Sequence, residues 1–176
     1  EDAEAVAFMM CDITIEHGRN PCSMNEILMT GQPSITMRPC DEAVLDGGAS
    51  SFLVGLSTLR EYLAVLKTHG IDLDRIVSYP CEKTFRFGND KTQQATMCVL
   101  LPVFCLDRRG CIMTYVIPGA TPFLLGRPIM EHLEISIDYA TAKIKAGDGP
   151  WIPVARGRSD RYVVRLPDDI SKPRVP

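Results

Sequence analysis

The sequence predicts a mainly β domain, on three observations. Short apolar or alternating stretches recur, as in Gln93–Leu106, Cys111–Ile117 and the Ile135/Ile137 pair. Turn residues separate them at Gly88-Asn89-Asp90, Asp107-Arg108-Arg109-Gly110 and Pro118-Gly119. Only Ser57–His69 carries a clear helical stripe, through Leu59, Leu63 and Leu66. The 176 residues, 45% apolar and 23% charged, can bury a core without metal or disulfide staples, which excludes a disordered or fibrous chain. No apolar run approaches the roughly 18 residues of a membrane span. The net charge of −3 argues against nucleic acid as a partner, because chains that wrap nucleic acid are usually basic.

Taken in order, Ala5–Glu16 reads as an N-terminal strand, and His17–Arg38 as a long connection punctuated by Gly18, Pro21, Gly31 and Pro33. Asp41–Leu45 leads as a short strand into the turn Asp46-Gly47-Gly48-Ala49-Ser50. The helix over 57–69 has Ser57 as its expected N-cap and Gly70 as its stop. Thr84–Phe87 is a strand that turns at Gly88. Gln93–Leu106 follows, bent or broken at Pro102, and pairs with Cys111–Ile117 as a hairpin. Phe123-Leu124-Leu125-Gly126 is a short buried strand, and Pro128 opens a helix running to about 133. Ile135/Ile137 and Ala142–Lys145 form a second hairpin, and Trp151–Val154 adds a strand. Beyond Ala155 the text turns to Arg, Asp and Pro and reads as an extended, solvated tail. The division is 1–39, an N-terminal strand and loop; 40–154, the domain; and 155–176, the tail.

The seven cysteines, at 11, 22, 40, 81, 98, 105 and 111, form no CxxC and no zinc-spaced cluster. They read as free thiols of an intracellular, reducing compartment, most simply the cytoplasm, with a disulfide among Cys11, Cys22 and Cys40 left open. The chain opens on Glu1 with no apolar leader, and it reads as a piece of a longer product. His17, His69 and His132 stand at no motif spacing to a Ser or Cys, and both phosphate-binding glycine patterns are absent. No metal and no cofactor are expected.

Asp46 is the residue that stands out. An apolar strand delivers it to a turn whose glycines let backbone N–H groups approach its carboxylate, which suits acid–base chemistry. Taken alone, an Asp-Gly turn is common. Downstream comes the apolar-apolar-glycine run of Leu124-Leu125-Gly126, followed by Arg127-Pro128 and a helix. This pair, in this order and with β text between, resembles the retropepsin-like aspartic proteases. Within them it is most similar to the protease segment of LTR-retrotransposon polyproteins. The Asp-Thr/Ser-Gly-Ala-Ser/Thr signature is represented by Asp46-Gly47-Gly48-Ala49-Ser50, and the resemblance covers roughly residues 40–147.

The resemblance implies a small closed β-barrel with one inserted helix. It implies one catalytic Asp per chain, so that an active site forms only in a homodimer acting on a polypeptide substrate. Two Asp46 carboxylates facing each other would share a proton and titrate as a pair. It also implies a glycine-tipped flap, with Phe87-Gly88-Asn89-Asp90 the favoured tip and the 107–110 turn its rival. Leu124, Leu125, Gly126 and Arg127 become structural support for the site. The sequence departs from the family at Gly47, where the hydroxyl of a Thr or Ser would brace the two acids across the axis. In viral relatives an arginine at the place of Arg127 pairs with an acid soon after the catalytic motif, where this chain has Ser50 and Ser51. Three functions follow: an aspartic endopeptidase of a retroelement polyprotein, a catalytically inactive descendant docked in a larger assembly through its N-terminal segment and tail, or an unrelated β-rich binding domain.

Overall fold

The computed structural model describes residues 41–106, 108–157 and 160–166. The expected strand over 5–16 and loop over 17–38, with Cys11, Cys22 and Cys40, lie outside the described residues. The longest pairing is a hairpin of β4 (Thr92–Cys105) and β5 (Arg108–Ile117), in register from Met97↔Val116 to Cys105↔Arg108. Pro102 does not break β4. It pairs with Cys111, beyond the point where β3 (Ser78–Arg86) leaves the other side of β4 at Ser78↔Val99. On that side its missing N–H costs no ladder bond.

The remaining strands of this sheet are β1 (Glu42–Asp46), β2 (Leu53–Gly55), β6 (Phe123–Gly126), β10 (Ala155–Arg156) and β11 (Tyr162–Arg165). The order across the sheet is β10-β11-β1-β6-β2-β5-β4-β3. Most neighbours are antiparallel, but β1 runs parallel to β6 and β2 parallel to β5. A second sheet joins β7 (Ile135–Asp138), β8 (Lys143–Ala146) and β9 (Ile152–Pro153), all antiparallel. The mainly β expectation therefore holds.

The closed barrel does not. Among the described residues the eight-stranded sheet keeps two edges, β10 and β3. It curls far enough for the Phe104 N–H of β4 to donate to the Leu166 carbonyl just past β11, but no ladder forms there among the described residues. The tail expectation fails over 155–157 and 160–166, and residues 167–176 lie outside the described residues. Val163 and Val164 are buried on opposite faces of the sheet, and β11 pairs with β1 from Glu42↔Arg165 to Val44↔Val163. Arg165 closes the pairing with an ion pair to Asp41. Flanking arginines and aspartates hid a strand of only four residues.

Both faces of the sheet are covered near its centre. Along β6, Phe123 and Leu125 enter one cluster with the helix, and Leu124 enters a second cluster with Val44, Leu53, Phe85, Tyr115 and Val163. This period-two division gives a continuous apolar text where a half-buried strand would alternate. Helix α1 (Leu56–Thr68) covers the first face through Thr58, Leu59, Tyr62, Leu63 and Leu66. Phe123 stacks on Phe52 at 5.6 Å and meets Tyr62 edge-on at 5.1 Å. The Tyr62 hydroxyl donates to the Pro102 carbonyl at 3.1 Å.

The start of α1 differs from expectation. Gly55, not Ser57, is the cap residue, and no side chain caps the helix. The loop before β6 does so instead, because the Gly119 carbonyl accepts from the Ser57 N–H at 3.0 Å. A Cβ on Gly55 would lie 2.4 Å from the Thr121 nitrogen, which explains the glycine. At the other end Gly70, with φ +79°, makes the expected stop. Its N–H reaches the Lys67 carbonyl and that of Ile71 reaches Leu66, a Schellman closure. The second helix, α2 (Arg127–His132), follows β6 directly, with Pro128 in its first turn.

Cys81, Cys98, Cys105 and Cys111 are free thiols. Cys81 sits in an irregularity of β3, between Pro80↔Met97 and Lys83↔Ala95. Burial, then the charge and hydrogen bond of the neighbouring Cys98 thiol, push the Cys81 thiol up to about 12. Burial also raises Cys98 and Cys111. These groups hold protons more tightly when folded, so their contribution is complete below the ordinary value of 9.0 and is lost as pH rises through the folded values. The melting temperature, followed by circular dichroism, is expected to fall between about pH 9 and 12, and to fall less steeply in Cys81→Ala. Phe123→Ala removes a fully buried ring and is expected to cost about 3–5 kcal/mol, read from urea unfolding.

Candidate active site

The parallel register of β1 and β6 builds the site. Ala43 faces Phe123, Val44 faces Leu124, Leu45 faces Leu125, and Asp46 faces Gly126. Both strands end at that last pair. The 47–52 loop leaves one and α2 leaves the other. They stay together because the Arg127 N–H donates to the Ala49 carbonyl at 2.9 Å. A Cβ on Gly126 would lie 2.5 Å from the Ser51 carbonyl oxygen and 2.9 Å from that of Ala49. Only glycine lets the two backbones approach so closely.

Within the loop, the Gly48 N–H donates to Asp46 Oδ1 at 3.0 Å and the Ala49 N–H to the Asp46 carbonyl at 3.0 Å. The half-buried Asp46 is thus held by backbone from its own turn. Gly47 is different. A Cβ there would have nothing within 4 Å, and its φ lies outside the left-handed region. Nothing in the described structure requires a glycine at 47.

The hairpin between β3 and β4 stands across from this loop. Its tip is closed by the Phe87 N–H to the Lys91 carbonyl and the Asp90 N–H to the Phe87 carbonyl, both 2.9 Å. Arg86 binds Asp90 at 2.6 Å, and Asp90 adopts φ 60°. A cleft of about 1070 Å³ lies between loop and hairpin. Asp46–Ser50 form one wall, Lys83–Gly88 another, and Leu53 and Leu124 contribute apolar lining. Tyr139, Arg156, Asp160, Arg161 and Tyr162 also line it.

Of the residues singled out in the sequence, Asp46, Gly47, Gly48, Ala49, Ser50, Leu124, Phe87 and Gly88 line this one cleft. Leu125 is fully buried beneath it, and Gly126 packs under the loop. Asn89 and Asp90 shape the hairpin tip without lining the cleft. In the rival turn, Arg108 lines a separate small cavity of about 140 Å³ with Lys145. Arg127 finds neither Ser50 nor Ser51. It approaches Glu131 of its own helix at 3.8 Å, an exposed pair worth little.

Two contributors escaped the sequence reading. Lys83 donates from Nζ to Ser51 Oγ at 2.8 Å and sits 4.3 Å from the centre of the Tyr115 ring, bracing hairpin to loop. Its position two residues before Phe85, on the same face of β3, was the available signal. The second is the group Arg156, Asp160, Arg161 and Tyr162, hidden in the presumed tail, where Arg156 pairs with Asp160 at 2.8 Å.

Among the described residues no group of three or more His, Cys, Asp or Glu side chains could hold a metal ion. No helix there is long and apolar enough to cross a membrane. No family model matches the chain, and no curated protein matches it.

The two glycines make opposite predictions. Gly126→Ala is expected to destabilise by roughly 1–3 kcal/mol, since backbone oxygens must give way. Gly47→Ala is expected to be near neutral. Urea unfolding midpoints compare the two directly.

Proposed function

We propose that this chain is an aspartic endopeptidase of the retropepsin-like kind, derived from a retroelement polyprotein and active as a homodimer. The observation that carries the reading is the position of Asp46. Its carboxylate ends a strand, accepts a backbone N–H from Gly48, and opens on a cleft faced by a glycine-containing hairpin. The Asp46 loop supplies one carboxylate per chain, and this chemistry needs two. In a dimer with both Asp46 side chains at the two-fold axis, like charges at close range disfavour double ionisation, so the pair holds one shared proton. The ionised member takes a proton from water, which attacks the peptide carbonyl carbon. The protonated member donates to the carbonyl oxygen. No covalent enzyme intermediate forms. The hairpin excludes water and orients the peptide.

A second reading is favoured by Gly47. With no hydroxyl to brace the dyad, the domain has lost catalysis and serves as a binding or scaffold subunit of a larger assembly. The free thiols at 81, 98, 105 and 111 suit a reducing, intracellular setting for either reading.

Cleavage of a diverse peptide library between pH 4 and 7, at high protein concentration, separates the two. The first reading expects cleavage by the wild-type chain, none by Asp46→Asn, and a dimer by sedimentation. Because the space beside Gly47 is open, Gly47→Thr is expected to fold and to raise activity and dimer affinity together, by about tenfold if two neutral hydrogen bonds are restored. A monomer with no cleavage, unchanged by Gly47→Thr, overturns the first reading in favour of the second.

A further inference from the structure

We propose that the cleft selects peptide segments bearing an acidic side chain, received by Lys83 and Ser51 at the foot of the hairpin. The inference rests on the reading of the cleft as a peptide-binding site and names its substrate class.

The cations lining the cleft are not equivalent. Arg86 is paired with Asp90 at 2.6 Å and Arg156 with Asp160 at 2.8 Å. Lys83 is half-buried, and among the described residues no carboxylate lies within ion-pair distance of it. Its partners are neutral: the Ser51 hydroxyl at 2.8 Å, and the Tyr115 and Phe85 rings at 4.3 and 5.5 Å. These contacts hold the ammonium in place without neutralising it. Exposed Arg161 lines the same cleft, also with no ion pair among the described residues. Among the described residues, four cations and two carboxylates line the cleft.

An ammonium has three N–H donors. Ser51 takes one and the rings face the charge, which leaves donor capacity toward the cleft. The Ser51 oxygen accepts from Lys83, so its own proton is free to donate. Together they offer a positive charge and two donors, a match for the two oxygens of a carboxylate. Ser51 lies on the loop that leaves Asp46, so this receptor is close to the bond to be cut. An acidic side chain is repelled from Asp46 itself, and that repulsion directs it to the Lys83 end. The amide of a glutamine offers the same acceptor without the charge.

The test uses fluorescein-labelled peptide mixtures that differ only in Glu or Gln at one fixed position, scanned along the peptide. They are titrated with the full chain carrying Asp46→Asn and read by fluorescence anisotropy, so binding is seen without turnover. Glu is expected to be preferred about tenfold at one or two positions, since a charge-assisted hydrogen bond exceeds a neutral one by roughly that factor. Lys83→Gln should abolish the preference and Lys83→Arg should keep it. Should Lys83→Gln not fold, Ser51→Ala is expected to reduce the preference several-fold. Free glutamate should compete at least tenfold more weakly than the peptides. Absence of binding, equal binding of Glu and Gln, a preference that survives Lys83→Gln, or equal competition by free glutamate each overturns the inference. A Glu preference without wild-type cleavage keeps it and overturns the protease reading, and cleavage without a preference does the reverse.

Discussion

The side-by-side ending of β1 and β6 is the constraint on which the rest of the site depends. Parallel pairing brings Asp46 and Gly126 to the same level, and the absence of a Cβ on Gly126 lets the 47–52 loop fold down onto the end of β6. The Ala49 carbonyl then accepts the Arg127 N–H, so one bond ties the turn that holds the acid to the first residue of α2. A side chain at 126 would prise these backbones apart and displace Asp46 with them.

Burial of the sheet on both sides makes that arrangement stiff. Phe123 and Leu125 anchor β6 against α1, while Leu124 anchors it against the opposite cluster with Phe85 and Tyr115. That second cluster also roots the hairpin. Phe85 meets Tyr115 edge-on at 5.5 Å, and Lys83 on the same face reaches over Tyr115 to Ser51. The loop bearing the acid and the hairpin facing it are therefore positioned by one shared set of apolar contacts, bridged by one cation. Among the described residues the edges of the sheet are β10 and β3, and β3 is held to this frame by its pairing with β4 and by Phe85 and Lys83.

Much of the fold was legible because local chemistry and tertiary structure agree. Gly70 stops α1, Pro128 opens α2, and Gly88-Asn89-Asp90 turns the hairpin, each through backbone geometry that a few residues determine. Legibility failed where a partner distant in sequence supplied what local chemistry did not. Ser57 has the right chemistry for an N-cap, yet the Gly119 carbonyl meets its N–H from another loop. Pro102 has the chemistry of a strand breaker, yet β3 ends before reaching it. Val163 and Val164 form a strand only because the exposed edge of β1 awaits them.

The sequence by itself determined the β class, the principal helix and the placement of an acid in a glycine turn, since alternation, periodicity and turn residues act over short stretches of chain. Among the described residues, tertiary structure alone decided that the sheet stays open, that the Arg-rich segment returns beside β1, and that Lys83 stands over the loop of Asp46 with no carboxylate to meet it. Those outcomes depend on which strands meet and in what register. Such pairings are set by the summed burial of the whole core, and no local stretch of residues carries them.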